Sequence, residues 1–145
     1  MRSGNVSWYL DASILVALLT PEPSSSRADD FLRENPALLI VSNLAAAEFA
    51  SAIARRVRTR EIALDDARSD LADLDIWLAR SAQWVEISAA DVALATAFLR
   101  RLDLPLRTPD AIHIAIAQRV DATLVSFDRQ MAASARALGA VVATP

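Results

Sequence analysis

Short apolar runs alternate with longer helix-like stretches along the chain. "VSWYL" (6–10), "ALLIV" (37–41), "WVEI" (84–87), "ATLVSF" (122–127) and "AVVA" (140–143) are brief and rich in β-branched or aromatic residues, so each is read as a strand. The stretches between them have helical signals. "ASILVALLT" (12–20) is stopped by Pro21 and Pro23, and "SSSRADDFLREN" (24–35) has a Ser cap and Pro36 beyond its end. A third helix, 42–58, is capped by Ser42 or Asn43. In a fourth, 64–81, Leu64, Ala67, Leu71, Leu74 and Leu78 fall on one stripe. "SAADVALATAFLRRLD" (88–103) opens on Ser88 and Asp91, spaced as in a capping box. "TPDAIHIAIAQRV" (108–120) opens on Thr108 as cap, with Pro109 in the first turn, and 128–138 is stopped by Gly139. Strands separated by helices predict one α/β domain over 1–145, with a mostly parallel sheet covered on both faces.

Several chemistries are excluded by residues that are missing. The chain has no Cys, which removes disulfides, thiolate zinc sites and Cys nucleophiles. All 15 basic residues are Arg, so no catalytic Lys is available. The two Gly, Gly4 and Gly139, lie outside any phosphate-cradling pattern. No apolar run reaches the roughly 18 residues of a membrane span. The start, "MRSGNVSWYLD", places an acid where the apolar part of a leader should continue, so a soluble cytoplasmic protein is expected. A net charge of −3 argues against a general phosphate-backbone coat but leaves room for an acidic site that holds metal.

The acids fall at strand ends. Asp11 follows the first strand and Asp128 follows "ATLVSF"; both stand where a strand turns into a helix, the usual ligand edge of an open α/β sheet. Asp110 lies in the first turn of its helix, and Glu48 about one turn into the helix after the second strand. Helix dipoles explain acids at such places one at a time. Glu48 resists that explanation, because its neighbours at three and four residues are Leu44, Ala45, Ser51 and Ala52, with no base among them. Acids in apolar surroundings repel if they converge, and a divalent cation resolves the repulsion. Oxygen ligands without Cys point to Mg²⁺ or Mn²⁺.

"YLDASILVALL", "AAAEFASAIARR", "LRTPDAIHIAIA" and "LVSFDRQMAASARALG", in this order, resemble the PIN-domain ribonucleases, and among them the VapC toxins of bacterial toxin–antitoxin pairs. The resemblance covers nearly the whole chain; residues 61–82 are its least diagnostic part. It implies an acidic quartet of Asp11, Glu48, Asp110 and Asp128, with supporting hydroxyls at Ser13, Thr108 and Ser126. It also implies a parallel sheet of order 3-2-1-4-5, which sets the strands before Asp11 and Asp128 side by side. The implied activity is Mg²⁺-dependent cleavage of RNA, transfer RNA or ribosomal RNA among the substrates. Asp11 and Asp110 are the first choices as direct ligands; Glu48 and Asp128 bind directly, bind through water, or orient the attacking water. The implied partners are a VapB-like antitoxin and a second copy of the chain.

Other residues carry two readings each. The run "ARRVRTR" (54–60) is either a solvated helix end or a phosphate contact through Arg55, Arg56, Arg58 or Arg60; Arg107 and Arg129 stand nearer the acids. His113, the only His, follows Asp110 by three residues and is expected to pack beside it or bond to it rather than serve as a base. Trp8, Trp77 and Trp84 are expected in packing rather than in base stacking. Two rivals remain. An aspartate-based phosphotransfer fold needs a Lys that the chain lacks. A non-catalytic PIN-like module that binds RNA or protein is the alternative to an enzyme.

Overall fold

The computed structural model of the chain describes residues 6–145; Gly4 and the rest of 1–5, part of the segment read above for a leader, lie outside them. Five strands are formed: β1 (Ser7–Leu10), β2 (Leu38–Ser42), β3 (Gln83–Val85), β4 (Thr123–Val125) and β5 (Val142–Ala143). The helices are α1 (Ala12–Leu19), α2 (Ser25–Glu34), α3 (Asn43–Arg58), α4 (Leu64–Ser81), α5 (Ala89–Leu99), α6 (Thr108–Arg119) and α7 (Arg129–Ala137). All pairings are parallel and the strand order is β3-β2-β1-β4-β5, as the resemblance implied. Leu10 pairs with Val125 at the carboxyl ends of β1 and β4, so the chain segments leaving these two strands start side by side.

Period-two alternation divides the strand residues between two cores. Leu10, Val41 and Val125 point to the side of α1, α3 and α4, where they pack with Ile14, Leu15, Phe49, Ile53 and Leu74. Tyr9, Ile40 and Leu124 point to the opposite side, among Ile114, Ile116, Met131 and Ala135. Adjacent residues thus serve opposite faces, which requires helices on both sides of the sheet. Tyr9 is fully buried, and its ring is tilted against His113 of α6.

Helix ends follow local chemistry. Ser42, not Asn43, caps α3, its Oγ accepting from the Ala45 N–H at 3.1 Å. Ser88 and Asp91 form the expected capping box. Gly139, at φ 83°, ends α7: its N–H reaches Arg136 O, and that of Ala140 reaches Ala135 O. This is the doubled turn that a left-handed residue permits. Strand ends shift by one to two residues from the sequence reading, to Ser7, Leu38–Ser42, Thr123–Val125 and Val142 among them, and three boundary differences have a visible cause. The third strand ends at Val85 because the Ile87 N–H goes to Asn43 Oδ1 and the Glu86 carbonyl accepts from Arg119. Helix α5 stops at Leu99, short of 103, where Leu102 takes a left-handed φ of 67°. Arg107 rather than Thr108 caps α6, because its N–H donates to Asp110 Oδ2 at 3.3 Å and the helix begins one residue earlier.

Candidate active site

Asp11 is the hub of the junction between β1 and β4. It caps α1, and Oδ1 accepts from the Ser13 hydroxyl at 2.6 Å and the Ile14 N–H at 3.2 Å. Its Oδ2 accepts from the Ser126 hydroxyl at 2.5 Å. Ser13 also binds the other loop, while Ser126 closes its own. Ser13 Oγ accepts from the Phe127 N–H at 3.1 Å, and Ser126 Oγ from the Asp128 N–H at 2.9 Å. Two hydroxyls therefore tie the loop after β1 to the loop after β4 through one carboxylate. Asp11 is only 4% exposed. Burial pushes its pKa up, and the donors from Ser126, Ser13 and Ile14 offset this only in part.

The other three acids stand on separate elements, α3, α6 and the start of α7. Asp128 caps α7 through the Met131 N–H at 3.0 Å and is otherwise exposed. Asp110 sits in the first turn of α6. Its pKa is raised, first by burial and also by repulsion from Asp128, against the pull of the Arg107 N–H. Glu48, on α3, does find a partner from elsewhere in the fold. His113 Nε2 contacts its Oε1, so His113 bonds to Glu48 and not to Asp110 as its spacing suggested. Behind the ring, the Tyr9 hydroxyl lies 2.6 Å from His113 Nδ1 and 2.6 Å from Ser42 Oγ. Sequence reasoning did not single out Tyr9. The signal was there: Tyr9 stands two residues before Asp11 on a strand, hence on the same face.

A groove of about 770 Å³ opens beside Glu48, which lines it, whereas Asp11, Asp110 and Asp128 stand outside the lining. Ser13, Glu48, Phe127, Arg55, Arg56, Arg58 and Arg107 line it, and Glu22 and Glu61 stand at its wall. Four of the six arginines singled out from sequence thus meet here. Arg56 is also tied to Thr20 Oγ1 at 3.0 Å. Arg60 and Arg129 are exposed and stand outside the lining, as does Thr108. Trp8 is engaged with Phe31 and Asn35, Trp77 packs on the core, and Trp84 is 47% exposed.

Among the described residues, no three His, Asp or Glu side chains form a ready metal-holding group. The donor chemistry nevertheless fits a hard cation. Asp11 is buried with only neutral hydrogen-bond donors, and Asp110 and Asp128 repel each other. A site offering one or two carboxylates and leaving the remaining positions to water or phosphate suits Mg²⁺ better than a caged ion.

The model of the PIN domain family matches residues 8–137, most of the chain. The chain belongs to the PIN-domain family. Within it, this PIN domain is 33% identical over 140 residues to Ribonuclease VapC46 of Mycobacterium tuberculosis, a match covering 94% of this chain and 96% of the relative. Its fold is similar to that of M. tuberculosis VapC20, a Sarcin-Ricin loop cleaving toxin, with a TM-score of 0.72 at 20% identity over 95% of this chain and 99% of the other. It is similar also to VapBC2 from Rickettsia felis, solved bound to a DNA fragment from their promoter, with a TM-score of 0.70 at 17% identity over 97% and 99%. No helix among the described residues of this PIN domain is long and apolar enough to cross a membrane.

Proposed function

We propose that this PIN-domain chain is a VapC-type endoribonuclease, which hydrolyses RNA phosphodiester bonds with Mg²⁺, Mn²⁺ being able to substitute. The observation that carries the reading is Asp11: a buried carboxylate without a cationic hydrogen-bond partner, at the joined ends of β1 and β4, beside a groove that presents Glu48 and four arginines. Identity to a VapC ribonuclease over nearly the whole chain supports it.

The residues that would hold the ion are Asp11 and Asp110, with Glu48 and Asp128 acting directly or through water. When bound, a divalent ion offsets charge on the phosphoryl oxygens and makes a water easier to deprotonate. Ser13 and Ser126 fix both oxygens of Asp11. Glu48, facing the groove, orients the attacking water and takes its proton as the phosphorus–oxygen bond to the leaving group breaks. Arg55, Arg58 and Arg107 hold flanking phosphates, for which a guanidinium fork is suited. The substrate class is transfer or ribosomal RNA, cut in a single-stranded loop where backbone and bases are accessible. In the cytoplasm the chain works as a homodimer, silenced by a VapB-like antitoxin; VapBC complexes among its structural neighbours support that partner.

Purified parent, Glu48→Gln and Asp110→Asn proteins, incubated with structured RNA with and without Mg²⁺, test the assignment. Both variants should stay folded and lose at least ~100-fold in cleavage rate, as expected when a group that moves a proton or holds charge is removed. Full cleavage by either folded variant would defeat that residue's role. Retention by both would favour the non-catalytic binding module.

A further inference from the structure

Glu48 has small neighbours on its own helix, and 35% of its side chain is exposed at the groove. A flexible carboxylate placed so can point several ways, and a misplacement of about 1 Å at a reacting centre costs roughly 100-fold. The partner that holds it is His113, whose side chain is 3% exposed and whose Nε2 contacts Glu48 Oε1. A carboxylate only accepts, so Nε2 carries the proton. Behind the ring, Nδ1 meets the Tyr9 hydroxyl and that hydroxyl meets Ser42 Oγ, each at 2.6 Å, while Ser42 Oγ accepts from the Ala45 N–H. With a neutral ring the donors run one way: Ser42 to Tyr9, Tyr9 to Nδ1, Nε2 to Glu48. Each proton on this line has an acceptor, and among the described residues no buried side-chain N or O lacks a partner. The line starts at the cap of α3 and returns to α3 at Glu48.

We infer that His113 is a positioning residue for Glu48: locked from behind by Tyr9 and Ser42, it aims the Glu48 carboxylate at the groove. Its catalytic use rests on the nuclease reading above. His113→Leu should lower kcat for RNA cleavage by about 10–100-fold, the usual cost of removing a group that orients a carboxylate in a metal site. KM should change by less than about threefold, since substrate contacts remain. His113→Gln restores a donor near the Nε2 position and should recover most of the loss. Tyr9→Phe, which frees the ring on its far side, should fall between the parent and His113→Leu. In a Glu48→Gln background, His113→Leu should cost less than about a further twofold, because the group it aims has gone. The same loss in both backgrounds, or a change in KM alone, overturns the inference.

One measurement does not depend on activity. Because His113 is the only His in the chain, a nitrogen-15 spectrum of the imidazole has one ring to assign. The parent should carry its ring proton on Nε2 in mildly alkaline buffer, and Tyr9→Phe should weaken that preference. A proton on Nδ1 in the parent overturns the hold on Glu48 outright. A parent that cleaves no RNA with Mg²⁺ or Mn²⁺ instead overturns the nuclease reading and the catalytic use of Glu48, leaving the ring spectrum to judge the contact.

Discussion

Asp11 concentrates several roles in one side chain: it caps α1, joins two loops and is the one buried member of the four acids singled out from sequence. Burial raises its pKa, so the folded chain binds this proton more tightly than the unfolded chain does. The linked stability is therefore fully present below the ordinary aspartate value of about 3.9 and is lost as pH rises through the raised folded value. Above that raised value the parent bears the penalty of a buried charge. Asp11→Asn removes it and should melt higher than the parent above that value, with the gap closing in acid. Mg²⁺ should raise the parent's Tm and leave that of the variant nearly unchanged. Thermal melts across pH, with and without the ion, check both; an equal response to Mg²⁺ would remove Asp11 from the ligand set. At this scale the sequence was legible where chemistry is local. Asp11, Asp110 and Asp128 could be read from their strand ends and helix starts. The partner of Glu48 could not, because His113 lies 65 residues away and spacing along α6 pointed it at Asp110.

The helices were legible wherever apolar periodicity and a cap agreed. The fourth runs from Leu64 to Ser81 as read, with Ala67 and Leu74 buried on the expected stripe, although Leu64 is 54% exposed. Legibility failed where a distant side chain competes for the backbone, as Asn43 and Arg119 do at the end of β3. Arg119 also ties α6 to α5 by a two-pronged contact with Asp91, at 2.8 and 2.9 Å. Burial alone would push the Asp91 pKa up, but the guanidinium and the Ser88 donors outweigh it and hold the carboxyl below its usual range. Its stabilisation is thus present above about pH 4 and lost as pH falls through the lowered folded value. Asp91→Ala should destabilise the protein by about 2 kcal/mol at neutral pH. That is less than the roughly 3–5 kcal/mol of a fully buried broken pair, since the Arg119 side chain is 37% exposed. Urea unfolding at neutral and strongly acid pH measures it; a difference that persists undiminished in acid would assign the loss to packing instead of charge.

The whole molecule is acidic, with a net charge of −3, yet Arg55, Arg56, Arg58 and Arg107 meet in one groove beside Glu48. On the proposed nuclease reading, attraction for RNA is local, and removing one groove arginine should be felt in the salt response more than in cleavage chemistry. Arg58→Ala should weaken binding mildly and flatten the slope of log affinity against log salt by about 0.7, the share of one phosphate contact on a single strand. Titrations at several salt concentrations with the Glu48→Gln protein, so that RNA stays intact, would show it; an unchanged slope places Arg58 off the RNA path. The strand order has a further consequence, in time rather than in space. Strand β1 is made first, yet one of its edges waits for β4, across the pairing of Tyr9 with Leu124. Domains fold as they emerge from the ribosome, and pairings distant in sequence form late. Until residue 126 has been added, Asp11 has neither the hydroxyl on its Oδ2 nor a neighbouring loop to join. A growing chain therefore carries Asp11 through the synthesis of more than a hundred further residues before the hub can close.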